Sequence, residues 1–214
     1  MPTPLTIDVV SDVVCPRCYV GKRRLEAALA LRKDITPEIR WRPFFLDPTV
    51  PRAGKPRIDY ITGKFGGVDK ITPAHERLVG IGKAVGIDFN FAGIEVQPNS
   101  LDAHRLISWA QAEGKADALV ENLFAGFFVN GVNLADRASL AAAAARAGMD
   151  AAAVSADLAS DKDEEIVAKQ AQAASASGIG GVPFFVFGGK VAVSGAQESE
   201  VISSAMDQAL AASA

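Results

Sequence analysis

The sequence predicts an α/β fold with a β-α-β opening, a large all-helical middle and a β-β-α ending. Three observations carry this expectation. Runs rich in β-branched and aromatic residues occur only near the two ends of the chain. Helical periodicity fills the middle between Gly and Pro punctuation. A Gly-Gly pair separates two short apolar runs near the C-terminus, which is a hairpin signal.

Taken in order, "LTIDVVSD" (5–12) reads as a buried strand. "CPRCYVGKRRLEAALALRK" then turns helical, with Gly21, Leu25, Ala28 and Leu29 on one face and Pro16 at the first helical position. "EIRWRPFFL" (38–46) alternates Ile39, Trp41 and Pro43 with charged residues, as a second strand does. Pro48, Pro51, Gly54 and Pro56 mark 46–58 as a linker. Five helical stretches follow: "AHERLVGIGKAVG", "SLDAHRLISWAQAEG", "ADALVENLFAGFFVNG", "DRASLAAAAARAG" and "DEEIVAKQAQAASASG". "VPFFVFGGKVAVSG" (182–195) is the hairpin, and "QESEVISSAMDQALAA" closes the chain as a helix. No internal repeat is visible.

With 214 residues, about half of them apolar, the chain can build one ordinary domain or a small domain with a large insertion. A formal net charge of −3 argues against a nucleic-acid binder, which needs a basic excess. The Ala-rich stretch 140–159 is broken by Arg146, Asp150 and Asp157, so no membrane span is expected. The amino terminus carries no basic segment ahead of its apolar run, and a cytoplasmic protein is the expectation.

The chemistry-bearing motif is "CPRC", which holds both cysteines of the chain, Cys15 and Cys18. A structural disulfide there would close only a tiny loop and contribute little chain-entropy stabilisation. Zinc and iron–sulfur sites need more ligands than two cysteines supply, and His75 and His104 do not have finger spacing. A c-type haem attachment needs His where Tyr19 stands. A redox dithiol fits better. Cys15 falls at a strand-to-helix junction, where unpaired N–H groups and the helix dipole favour a thiolate. Arg17, Lys22, Arg23 and Arg24 are expected to favour it further. Cys15 is then the attacking thiol and Cys18, one turn in, the resolving thiol. Asp12 either touches the dithiol or fixes the strand end; a carboxylate at the thiol would oppose Arg17. Asn99 or Ser100 is expected to cap a helix, with Asp102 in its first turn. His104 reads as a partly buried helix residue, and Trp41 and Trp109 as core or packing residues.

"DVVCPRCYVGKRRLEAAL", "PNSLDAHRLI" and "GVPFFVFGGKVAVSGAQ", in this order, resemble the DsbA-type thioredoxin-fold oxidoreductases. The branch they resemble most is that of cytoplasmic polyketide-biosynthesis dithiol–disulfide isomerases, related to 2-hydroxychromene-2-carboxylate isomerases and kappa-class glutathione transferases. The resemblance implies a thioredoxin-like domain from 1–46 and 178–214, with 47–177 as a helical insertion. It implies a cis peptide before Pro183, facing the dithiol, with the Val182 backbone free to hold an extended substrate or glutathione. It puts Asn99 and Ser100 near the site, as substrate contacts, and makes a homodimer the expected assembly.

Two departures matter. Arg17 stands where the branch often has Trp, which shifts the expected preference toward anionic partners. Cys15 stands where the isomerases and transferases have Ser. The expected activity is therefore thiol–disulfide exchange on a protein or small-molecule substrate. No cofactor is required, and glutathione is a candidate redox partner. The alternative is a glutathione-dependent isomerase or transferase of small aromatic or polyketide-like substrates. A peptide-binding module with an incidental dithiol is a third reading, weakened by the basic cluster.

Overall fold

A computed structural model describes residues 2–212. Its central element is β1 (Thr3–Ser11), in which Leu5, Ile7 and Val9 are buried and alternate with less buried neighbours. The helix α1 (Pro16–Ala30) follows and leads to β2 (Ile35–Pro43), parallel to β1, with Val9 opposite Trp41. At the other end of the chain, β5 (Phe184–Phe187) pairs antiparallel with β1 and β6 (Val191–Ser194) pairs antiparallel with β5. The resulting order is β2-β1-β5-β6. Gly188 and Gly189, at φ 58° and 68°, supply the left-handed residues of the β5–β6 turn, in which the Lys190 amide donates to the Phe187 carbonyl at 3.0 Å. α9 (Ser199–Ala211) packs on α1 and β6. The α/β class with a four-stranded sheet is thus as expected.

The middle corrects the expectation in three respects. First, it is not all-helical: β3 (Lys55–Pro56) and β4 (Val96–Gln97) form a short antiparallel ladder. Lys55 precedes Pro56 and Gln97 precedes Pro98, and a following proline drives a residue out of the helical region into extended geometry. Second, the 46–58 linker ends early, because α2 (Arg57–Phe65) begins within it and stops at Gly66, φ 82°. Third, the Ala-rich stretch holds a further helix beyond the expected one over 136–148. α6 (Arg137–Arg146) ends before Gly148, and Asp150 restarts the chain as α7 (Ala151–Ala159) by accepting from the Ala152 and Ala153 amides. The remaining helices are α3 (Val68–Ala84), α4 (Leu101–Ala112), α5 (Ala116–Phe128) and α8 (Glu164–Ala176). The strand β2 also starts and stops three residues before the expected span, ending at Pro43.

One apolar cluster runs unbroken from Ile7 and Phe185 in the sheet to Phe124, Leu140 and Leu158 in the helices. Trp41 joins the two regions: its amide donates to Gln111 Oε1 at 2.7 Å and its indole to Asp117 Oδ1 at 2.8 Å. Arg105, fully buried, holds the far side. Its guanidinium donates to Asp102 and to the carbonyls of Asp157, Ser160 and Lys162, at 2.6 to 2.9 Å.

Candidate active site

Cys15 is the N-cap of α1 and Pro16 follows it at N1, so the helix begins immediately at the dithiol. The Cys15 amide donates to the Asp12 carbonyl and the Cys18 amide to the Cys15 carbonyl, both at 3.0 Å. These bonds lock the turn from β1 into α1. Both cysteines are free thiols and buried, Cys15 at 5 % exposure and Cys18 at 2 %. Burial pushes the Cys18 thiol well above the usual thiol range, and hydrogen bonding and charge from Cys15 push the same way. The Ser11 hydroxyl and the Asp12 backbone oppose them without reversing the shift.

The loop before β5 faces this turn. The Val182–Pro183 peptide is cis, and the Cys15 thiol donates to the Val182 carbonyl with Sγ···O at 3.6 Å. Chain positions 167 apart are thereby brought together. The carbonyl expected to stand free for a substrate is engaged by the Cys15 thiol.

The basic cluster behaves differently from the sequence expectation. Lys22 is buried and bound to Glu26 and Glu121, Arg23 is bound to the same two carboxylates, and Arg24 pairs with Glu198. Their charges are neutralised within the fold and are not directed at Cys15. Arg17 is exposed and has no carboxylate partner among the described residues. It lines a cleft of about 570 Å³ with Val20, Arg77, Leu78 and Ala196, between α1, α3 and the segment before α9.

Asp12 is a structural carboxylate rather than a dithiol ligand. It is 1 % exposed and accepts from the Leu46 amide at 2.8 Å and the Val14 amide at 3.4 Å, tying the dithiol turn to the chain beyond β2. His104 Nε2 lies 3.5 Å from Asp12 Oδ1. Asn99, not Ser100, caps α4 by side chain: its Oδ1 accepts from the Leu101 amide and its Nδ2 donates to the Val50 carbonyl. Both ends of the amide are occupied, and the buried Ser100 makes no side-chain cap. Neither residue is presented to the dithiol by these contacts.

Sequence reasoning missed Ser11, whose hydroxyl reaches Cys18, and Glu121, which organises the α1 surface. Glu121 accepts from Tyr19 and Lys22; burial and this carboxylate hold the Tyr19 phenol at about 12. Neither has a sequence signal, since both act across elements.

Residues 6–207 match the family described as the DSBA-like thioredoxin domain. The chain belongs to that family. A probable DsbA oxidoreductase of Streptomyces coelicolor has a solved structure that is 32 % identical, covering 97 % of this chain and 90 % of that one, at TM-score 0.86. A 2-hydroxychromene-2-carboxylate isomerase structure is similar at 23 % identity and TM-score 0.70, covering 97 % of each chain. The cytosolic disulfide reductase DsbM of Pseudomonas aeruginosa, solved with GSH, is similar at 20 % identity and TM-score 0.60, covering 84 % of each chain. The last two are distant in sequence and speak to the fold alone. Among the described residues, no helix of this DSBA-like chain is long and apolar enough to cross a membrane.

Proposed function

We propose that this member of the DSBA-like family exchanges disulfides through Cys15 and Cys18, with no cofactor required. The observation that carries the proposal is the Cys15 thiol held against the carbonyl of Val182, beside cis-Pro183, at the start of α1. In the reducing direction, the Cys15 thiolate attacks one sulfur of a substrate disulfide. The other substrate sulfur leaves and takes up a proton. Cys18 then loses its proton and attacks Cys15 Sγ, and the second substrate thiol departs. The net change is one substrate disulfide reduced to two thiols and one enzyme disulfide formed; oxidation is the reverse.

The Val182 carbonyl has a part in the first step. Loss of the Cys15 proton ends the S–H···O contact, and the carbonyl becomes available to an amide N–H of an extended partner. Cys18 stays neutral until the mixed disulfide forms, because its raised pKa protects it from premature ionisation.

The proposed compartment is the cytoplasm, whose poise keeps most dithiols reduced and favours the reducing or isomerising direction. Glutathione is the proposed electron donor, in line with the DsbM structure solved with GSH. Arg17, between the two cysteines in the chain, and Arg77, which lines the same cleft, suit an anionic partner. The likeness to the 2-hydroxychromene-2-carboxylate isomerase favours a second reading, glutathione-dependent isomerisation. Retention of Cys15 weighs against it.

A redox titration in glutathione buffers, acid-quenched and read by intact mass, separates the two. Interconversion of dithiol and internal disulfide supports the proposal. A bound or adducted glutathione with no internal disulfide would transfer the reading to isomerisation.

A further inference from the structure

A cavity beside α2 and α3 lies away from the dithiol. It is about 800 Å³, between α2, α3 and the 3-10 turn Phe91–Gly93, within the size range of small-molecule sites. None of Cys15, Cys18, Val182 or Pro183 lines it. Ile61, Ile71 and Val79 give it aliphatic walls. His75 stacks on Phe91 at 4.1 Å and 10°, and Phe91 on Phe89 at 5.0 Å and 12°. All three rings line the cavity and form one parallel stack with Phe91 in the middle.

Arg57 is the charged group that this apolar site leaves unanswered. The half-buried or buried arginines elsewhere are matched by carboxylates: Arg105 by Asp102 and Glu164, Arg23 by Glu26 and Glu121, Arg32 by Asp34 and Asp207. Arg57 has a neutral partner, the Gln97 side-chain oxygen, and lies over the Tyr60 ring at 5.7 Å. Its Nε is buried with no hydrogen-bond partner. Glu76 and Glu95 also line the cavity, yet neither ion-pairs with it among the described residues. Burial lowers its pKa, as expected of a cation without an anion. A desolvated, uncompensated charge is costly, and an anionic group entering the cavity would offset that cost.

The geometry points to a second ligand site, in which a planar ring-bearing carboxylate lies against the Phe89–Phe91–His75 stack and gives its carboxylate to Arg57. Arg57 would supply the charge, while the aliphatic walls flank the ring. This site is independent of the redox reading, because it uses neither thiol.

The test is calorimetric titration of the whole reduced chain with 1-naphthoate and with uncharged 1-naphthamide. Naphthoate is expected to bind at least tenfold more tightly than the amide. Arg57→Gln should erase that preference and Arg57→Lys keep part of it. Ile71→Trp, which fills the cavity and leaves the charge, should weaken both ligands. Cys15→Ser should change neither, so failure of the dithiol proposal would not mimic failure of this one. Circular dichroism checks each fold; were Arg57→Gln not to fold, the naphthoate–naphthamide comparison and Ile71→Trp still decide. Equal affinity for the two ligands, no binding at about 1 mM, or unchanged preference in a folded Arg57→Gln would overturn the inference. So would self-association that Val68→Glu abolishes and that excludes naphthoate, since a second chain would then fill the cavity.

Discussion

Gly21 of α1 packs directly on the ring of Pro183: a Cβ at Gly21 would stand 2.9 Å from Pro183 Cγ and 3.1 Å from Phe185 Cζ. The helix carrying the dithiol and the loop facing it are therefore held at a spacing that only a glycine permits. Gly21→Ala gains about 1 kcal/mol of helix propensity. It loses about 1–3 kcal/mol to overpacking against ring atoms that have little room to move. The clash is expected to win. Chemical denaturation should show a net loss of stability, and the redox midpoint should move as the Cys15–Val182 contact is displaced.

Cys15 and Cys18 are expected to fail differently. Cys15→Ser should remove disulfide exchange by on the order of 10³-fold or more, because the nucleophile is gone. Cys18→Ser should instead accumulate a stable mixed disulfide on Cys15, visible by intact mass. Trapping by Cys15→Ser in place of Cys18→Ser would reverse the assigned roles.

The raised Cys18 pKa has a pH consequence. An acid whose folded pKa exceeds its unfolded one contributes stability at pH values below the unfolded pKa, and that contribution disappears as pH rises through the folded value. The reduced protein should therefore lose thermal stability above about pH 9, and Cys18→Ala should flatten that alkaline limb. At pH 8, iodoacetamide should label Cys15 well before Cys18.

Arg17 tests partner charge. Arg17→Glu is expected to raise KM for glutathione disulfide by roughly tenfold, about 1.4 kcal/mol, with a smaller change in kcat. The effect should shrink as salt is added, because Arg17 is exposed. Steady-state kinetics at low and high salt measure both expectations.

Arg105→Ala should be among the most damaging substitutions outside the dithiol. It leaves Asp102 to Arg52 and Arg137 alone and strips the donors from three buried-side loop carbonyls, those of Asp157, Ser160 and Lys162. A cost of about 3–5 kcal/mol is expected from breaking such a buried network, read by urea denaturation.

Much of the fold could be read from local pattern. The alternation around Ile7 and Val9, the Gly188–Gly189 turn and the Pro16 helix start are short-range signals, each fixed by backbone sterics over a few residues. The dithiol was equally legible, since a two-residue spacing after a strand restricts what the cysteines can do. What escaped were weak or compensated signals: α2 inside a proline-rich stretch, and a two-residue ladder set by Pro56 and Pro98.

The sequence by itself determined the element order at the two ends and the identity of the two thiols, while the place of Pro183 opposite them was an implication of the family resemblance. Only the tertiary structure decided which charges remain unspent. Lys22, Arg23 and Arg24 look in sequence like company for a thiolate, yet they are consumed by Glu26, Glu121 and Glu198. Asn99 is spent on a cap and the Val50 carbonyl, and Arg57 is left without an anion. The reason is physical. Helical and strand periodicity act within a few residues, whereas neutralisation and desolvation depend on groups that folding brings together from a hundred residues away.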